Sequence, residues 1–86
     1  MKTFFNHNLI VKLVKNSAIQ VPGVKKVSVV LENIKDDKDE IDVDAWFDHK
    51  IYNVNSVCNE LQKKIFFNLS KQLDNTKLKI NIIVHA

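Results

Sequence analysis

Val21-Pro22-Gly23-Val24 contains the only proline and the only glycine of an 86-residue chain, and it separates a stretch with helical spacing from one with strand spacing. On its N-terminal side Ile10, Leu13, Val14, Ser17, Ala18 and Val21 recur three and four residues apart, which gathers small and apolar groups on one helical face. On its C-terminal side Val27, Val29 and Leu31 alternate with Lys26, Ser28 and Val30, the period of a strand. The ring of a proline forces the preceding residue out of the helical region, so the helix ends by Val21. Pro22, with its fixed φ, and Gly23, with free access to positive φ, then predict a type II turn. The pair is structural and carries no chemistry.

The strand after this turn reads from about Lys25 to Ile34 and leads into Lys35-Asp36-Asp37-Lys38-Asp39-Glu40, a charge run predicted to form an exposed hairpin loop. Next, Ile41, Val43, Ala45, Phe47 and Ile51 fall on one face and Asp42, Asp44, Trp46 and Asp48 on the other, as in a half-buried strand. Asn53 or Asn55 caps a second helix, whose apolar stripe is Val54, Val57, Cys58, Leu61, Ile65 and Leu69 and whose end is Asp74-Asn75-Thr76. Leu78, Ile80, Ile82 and Val84 alternate with Lys79, Asn81, Ile83 and His85 as a final strand. Strands joined by a short loop pair antiparallel, whereas a strand reached through a helix runs parallel to its predecessor by a right-handed crossover. The expected fold is therefore α+β: a two-layer αββαβ domain, with two helices packed on one face of a three-stranded mixed sheet. Residues 1–86 read as a single domain, its first seven residues loosely ordered.

A hydrophobic content of 45% at this length supports a small core without a deep pocket. The first residues are interrupted too early by Asn6, His7 and Asn8 for a signal peptide, and no apolar run approaches the ~20 residues of a membrane helix. The chain thus reads as cytoplasmic, with no direct membrane insertion. Cys58 is the lone cysteine, which excludes an intramolecular disulfide. The net charge of +3 raises the question of nucleic acid, but all 13 positive side chains are lysine. Base reading and bidentate phosphate contacts favour the planar guanidinium, so the composition argues against specific nucleic-acid recognition.

No catalytic constellation stands out. Asp42, Asp44 and Asp48 project from one side of a strand, yet alternation alone produces such a row, and calcium requires six to eight oxygens from a folded loop. Lys79 on the neighbouring strand is placed to pair with them, in an exposed contact worth ~0–1 kcal/mol. His7, His49 and His85 lack metal-ligand spacing and read as hydrogen-bonded or exposed histidines. Cys58, on a helical stripe, reads as a small hydrophobe. A single glycine excludes the dinucleotide fingerprint and the phosphate loop, and no cofactor is expected. Phe4, Phe5, Phe66 and Phe67 are expected to widen the core. Trp46 is the residue to single out: it shares the side of the three aspartates, away from the helices, with Ile83 and Val30 on the flanking strands. Large apolar groups gathered on an exposed sheet face mark a partner surface, here Trp46, Ile83, Val30 and Asp44. The alternative at Trp46 is packing beneath lysine stems.

The succession of pieces resembles the alkaline shock protein family of bacterial envelope stress proteins. The likeness lies in Ala18-Ile19-Gln20-Val21-Pro22-Gly23-Val24, in Ile51-Tyr52-Asn53-Val54-Asn55-Ser56-Val57 before the long helix, and in the closing Leu78-Lys79-Ile80-Asn81-Ile82-Ile83-Val84-His85. The resemblance implies a non-enzymatic cytosolic αββαβ domain that acts as a binding or scaffold module in envelope homeostasis. It also implies self-association and protein partners, among them a membrane-anchored one that would hold the domain at the inner face of the membrane. The family is commonly acidic, whereas this chain is basic. The runner-up expectation is a small RNA-binding helix-sheet module, whose affinity would decline steeply with salt.

Overall fold

The computed structural model describes residues 7–50 and 53–85. Within them the chain forms helix α1 (His7–Ile19), strands β1 (Val24–Ser28), β2 (Ile34–Lys35) and β3 (Glu40–Phe47), helix α2 (Val54–Leu73) and strand β4 (Lys79–His85). The fold is α+β. The expected places of Phe4, Phe5, Ile51 and Tyr52 lie outside the described residues.

Helix α1 buries Ile10, Val14, Ser17 and Ala18, the face set by the three-and-four spacing. It stops two residues before Val21, whose carbonyl accepts from Val24 N–H at 3.4 Å while Gly23 takes φ 97°, the left-handed backbone that a type II turn demands at its third position. The turn is also tied to the end of β3, because Asp48 N–H donates to the Gly23 carbonyl at 2.9 Å. Helix α2 is capped by Asn53, whose side chain accepts from Ser56 N–H at 3.0 Å. It ends at Asp74, which adopts the left-handed conformation (φ 50°) usually given to glycine, and Asn75 N–H then closes back on the Ser70 carbonyl.

Strand β3 is central. Strand β4 runs parallel along its whole length, Glu40 facing Lys79 and Trp46 facing His85, as a crossover through a helix requires. Strands β1 and β2 are both antiparallel to β3, β1 against Asp44–Phe47 and β2 against Glu40–Ile41, so they share the edge that β4 leaves free. The sheet is thus mixed but has four strands, where three were expected. The reading from Lys25 to Ile34 is broken in two. Val27 faces Ala45 and Ser28 faces Asp44, so an unbroken ladder would set Leu31 against Ile41. Ile34 stands there instead, and Leu31–Asn33 is looped out as a 3-10 turn closed by Asn33 N–H to the Val30 carbonyl at 3.0 Å. Glu32 and Asn33 are poor strand formers, and Ile34 buries its β-branched side chain in the place that Leu31 gives up. The charge run is correspondingly tighter than expected. Lys35 and Glu40 belong to the ladder, and Asp36–Asp39 make the turn, Asp39 at φ 52°.

Both helices cover the same face. Ile41, Val43 and Ala45 meet Ile10, Val14 and Ala18 from α1 and Leu61, Ile65 and Leu69 from α2 in one core. The helices meet at Ser17, which is fully buried: its hydroxyl donates to the Leu13 carbonyl at 2.7 Å and accepts from Asn68 Nδ2 at 2.7 Å. Three core expectations need correction. Phe66 packs against the core, but Phe67, one helical step away, is exposed beneath the Lys71 ammonium. Val54 is exposed at the helix start. Val84 alternates inward yet is 51% exposed, because α2 leans on the other half of β4, where Gln62 Nε2 donates to the Ile80 carbonyl at 2.6 Å.

Candidate functional site

The side of the sheet turned away from the helices is built by alternation. β3 contributes Glu40, Asp42, Asp44 and Trp46, which face Lys79, Asn81, Ile83 and His85 of β4. On the other edge Trp46 and Asp44 face Lys26 and Ser28, and Glu40 faces Lys35. Of the four residues expected to form a partner surface, this geometry gathers Trp46, Asp44 and Ile83. Val30 lies past the end of β1 at the start of the 3-10 turn; it is 44% exposed, and no strand pairing carries it to the other three.

Trp46 is not a bare aromatic. The Lys26 ammonium lies 4.5 Å from the indole centroid, and the His85 ring stacks on it at 4.5 Å with 15° between the planes. The two neighbours come from strands on opposite sides of β3, so they cover opposite faces of the indole. The contact with Lys26 is made by the ammonium over the ring, a cation–π arrangement. His85 is held in turn by Asp44, Nε2 to Oδ1 at 2.8 Å. The result is a built column, Lys26 over Trp46 over His85 with Asp44 at the imidazole edge, in which Trp46 supports the face and Ile83, opposite Asp44 and 42% exposed, is its accessible apolar group.

The aspartate row is consumed internally. Asn81 Nδ2 bridges Asp42 Oδ1 at 2.9 Å and Glu40 Oε2 at 2.8 Å. Lys35, not the expected Lys79, supplies the cation: its Nζ is 3.3 Å from Asp42 Oδ2 and 3.9 Å from Glu40 Oε1. The hydrogen bond from Asn81, followed by that from Lys35 and its charge, outweighs desolvation and holds the Asp42 carboxyl below the usual aspartate value. Asp48 stands apart, bonded to Lys50 N–H in its own turn. Among the described residues no group of three His, Cys, Asp or Glu side chains is placed to hold a metal ion. His7 pairs with Asp36 at 3.0 Å and His49 is exposed, so the three histidines lie in separate places. Burial pushes the Cys58 thiol above its ordinary value, which makes it a poorer nucleophile.

Sequence reasoning missed the partners of Trp46 and a groove beside β4. The groove, of about 340 Å³, runs between α2 and β4, with Phe66, Leu78 and Ile80 as its floor and Lys63, Lys77 and Lys79 at its rim. Nothing in the linear sequence joins Lys63 to Lys77 and Lys79; only the packing of α2 on β4 does. A second groove, of about 260 Å³, lies between α1 and β1 beside Lys15, Lys25 and Lys26. No described helix is long and apolar enough to cross a membrane. No protein-family model matches the chain, and comparison with curated proteins and with solved structures returned no match.

Proposed function

We propose that this chain is a non-enzymatic protein-binding or scaffold domain that presents the β4 side of its open sheet face to a protein partner. The observation that carries the reading is the exposure of Ile83, 42%, on the open face of an edge strand, beside the face stiffened by the Trp46 column; Val84, 51% exposed, adds an uncovered apolar group on the helix side of the same strand. Exposed aliphatic groups on a rigid, hydrogen-bonded platform lose little conformational entropy on association, which favours binding. Binding energy at such a surface concentrates in a few central apolar groups, and Ile83 is the one here. With the family resemblance, the reading extends to a cytoplasmic protein of cell-envelope homeostasis, peripheral at the inner face of the membrane through a membrane-anchored partner. The test is affinity capture from native cells with membranes retained, comparing the wild-type chain with Ile83→Lys. Loss of a specific captured protein in the variant, with circular dichroism unchanged, is expected; identical capture by both proteins would contradict the assignment.

A further inference from the structure

The edge of β4 carries a further inference, which rests on the reading of the domain as a binding module. In a strand, the N–H and C=O of one residue point to the same side, and those of the next to the other. Lys79 N–H donates to the Asp39 carbonyl at 2.8 Å at the start of the β3 ladder, so Lys79, Asn81, Ile83 and His85 direct their backbone groups inward. Ile80, Ile82 and Val84 direct theirs to the open edge, where no described strand pairs with them. The Ile80 carbonyl shows what this edge seeks. Gln62 Nε2 donates to it at 2.6 Å, in the position that an N–H of an added strand would take.

Beside that carbonyl lies the groove between α2 and β4. A strand added along β4 places every second side chain on the helix side, and the one opposite Ile80 enters the groove over Phe66 and Leu78. The rim lysines Lys63, Lys77 and Lys79 are exposed, and none has an ion-pair partner among the described residues. A backbone edge with which no described strand pairs, an apolar slot at one side-chain position and a rim of a single charge sign together specify the occupant. We infer that β4 accepts an extended, acidic segment of a partner protein as an added strand. Its main chain would bond Ile82 and Val84, an aliphatic side chain would fill the slot, and carboxylates would meet the three lysines. Gln62 is the placeholder that the segment displaces.

The probe is a fluorescein-labelled peptide with one central valine for the slot and glutamates at the two positions on either side of it, so that carboxylates fall on both faces of the added strand, with a peptide carrying lysine in place of glutamate and a single-stranded oligonucleotide for comparison, all followed by fluorescence anisotropy on the full chain. Val84→Pro removes an N–H that faces the open edge and breaks no bond within the sheet, so the fold tolerates it. The acidic peptide is expected to bind, the lysine peptide not to bind, and Val84→Pro and Lys63→Glu/Lys79→Glu each to weaken binding about tenfold or more. Gln62→Ala should bind at least as tightly as wild type. Should either substitution fail to fold, amide chemical-shift mapping on the wild-type chain decides instead, with the largest changes expected at Ile82 and Val84. No binding of the acidic peptide, equal binding of the lysine peptide, tighter binding of the oligonucleotide, or pairing of β4 with a second copy that excludes the peptide would each overturn the inference. Because the assay uses a purified chain and a synthetic probe, its failure leaves the capture result with Ile83→Lys to stand or fall by itself.

Discussion

Ser17 shows how much one small polar group decides in a core of this size. Its hydroxyl has no solvent exposure and is held between the Leu13 carbonyl and the Asn68 amide, so α1 and α2 approach each other through a hydrogen bond as well as through apolar contact. Ser17→Ala strands the Asn68 amide at a half-buried site and should lower unfolding stability by about 1 kcal/mol or more. Ser17→Ala/Asn68→Leu, which removes both partners, should cost less than the sum of the single changes; additive losses in urea denaturation would show that the pair is not coupled. Asp42 is the residue at which pH enters. Asn81 and Lys35 depress its folded-state pKa below that of an unfolded aspartate, so its contribution is present above the unfolded value and is lost as pH falls through the depressed one. Asn81→Ala should therefore destabilise the domain at neutral pH and progressively less in acid. A penalty independent of pH in denaturation at both conditions would contradict this assignment.

Among the elements, the joint between α1 and β1 is the most legible in the sequence, since proline and glycine each occur once and occur together there. Gly23 holds φ 97°, so Gly23→Ala should cost about 1–2 kcal/mol by forcing a Cβ into the left-handed region, and a thermal midpoint unchanged from wild type would rule the turn out as a constraint on α1 docking. The alternation of Ile41, Val43 and Ala45 and the stripe of Leu61, Ile65 and Leu69 were equally legible, because burial on one face writes itself into spacing. The broken first strand was not. Val27, Val29 and Leu31 alternate whether or not the ladder continues, and only the competition between Leu31 and Ile34 for the place opposite Ile41 decides where the chain loops out. The register of β4 was likewise hidden, because 31 residues separate Phe47 from Lys79 and no local rule counts across a helix. That register brings His85 onto Trp46, so the covering of the indole became visible only with the fold. Val84 misled for a related reason: alternation reports which way a side chain points, not whether the helix above is long or near enough to cover it.

For the whole molecule, the consequence of this architecture is an asymmetry between the two edges of the sheet. One edge of β3 is filled by β1 and β2 together, whereas β4 closes the other, and beyond Ile80 no described strand pairs with its outward backbone groups. Natural sheets commonly protect such an edge with charge, proline or a bulge. This one carries Ile82, Ile83 and Val84 in succession, and its single lysine lies at the start. The carboxylates of the open face are matched internally by Asn81, Lys35 and His85, which leaves the lysines beside β4 as the charge a partner would meet. The central claim, that function resides on the β4 side of the domain, is tested most directly by amide chemical-shift mapping of the labelled chain with a partner recovered by affinity capture. The account predicts the largest shifts at Ile82, Ile83 and Val84, with smaller ones at Lys63 and Lys79; shifts confined to α1 and the groove beside Lys15 and Lys25 would contradict it.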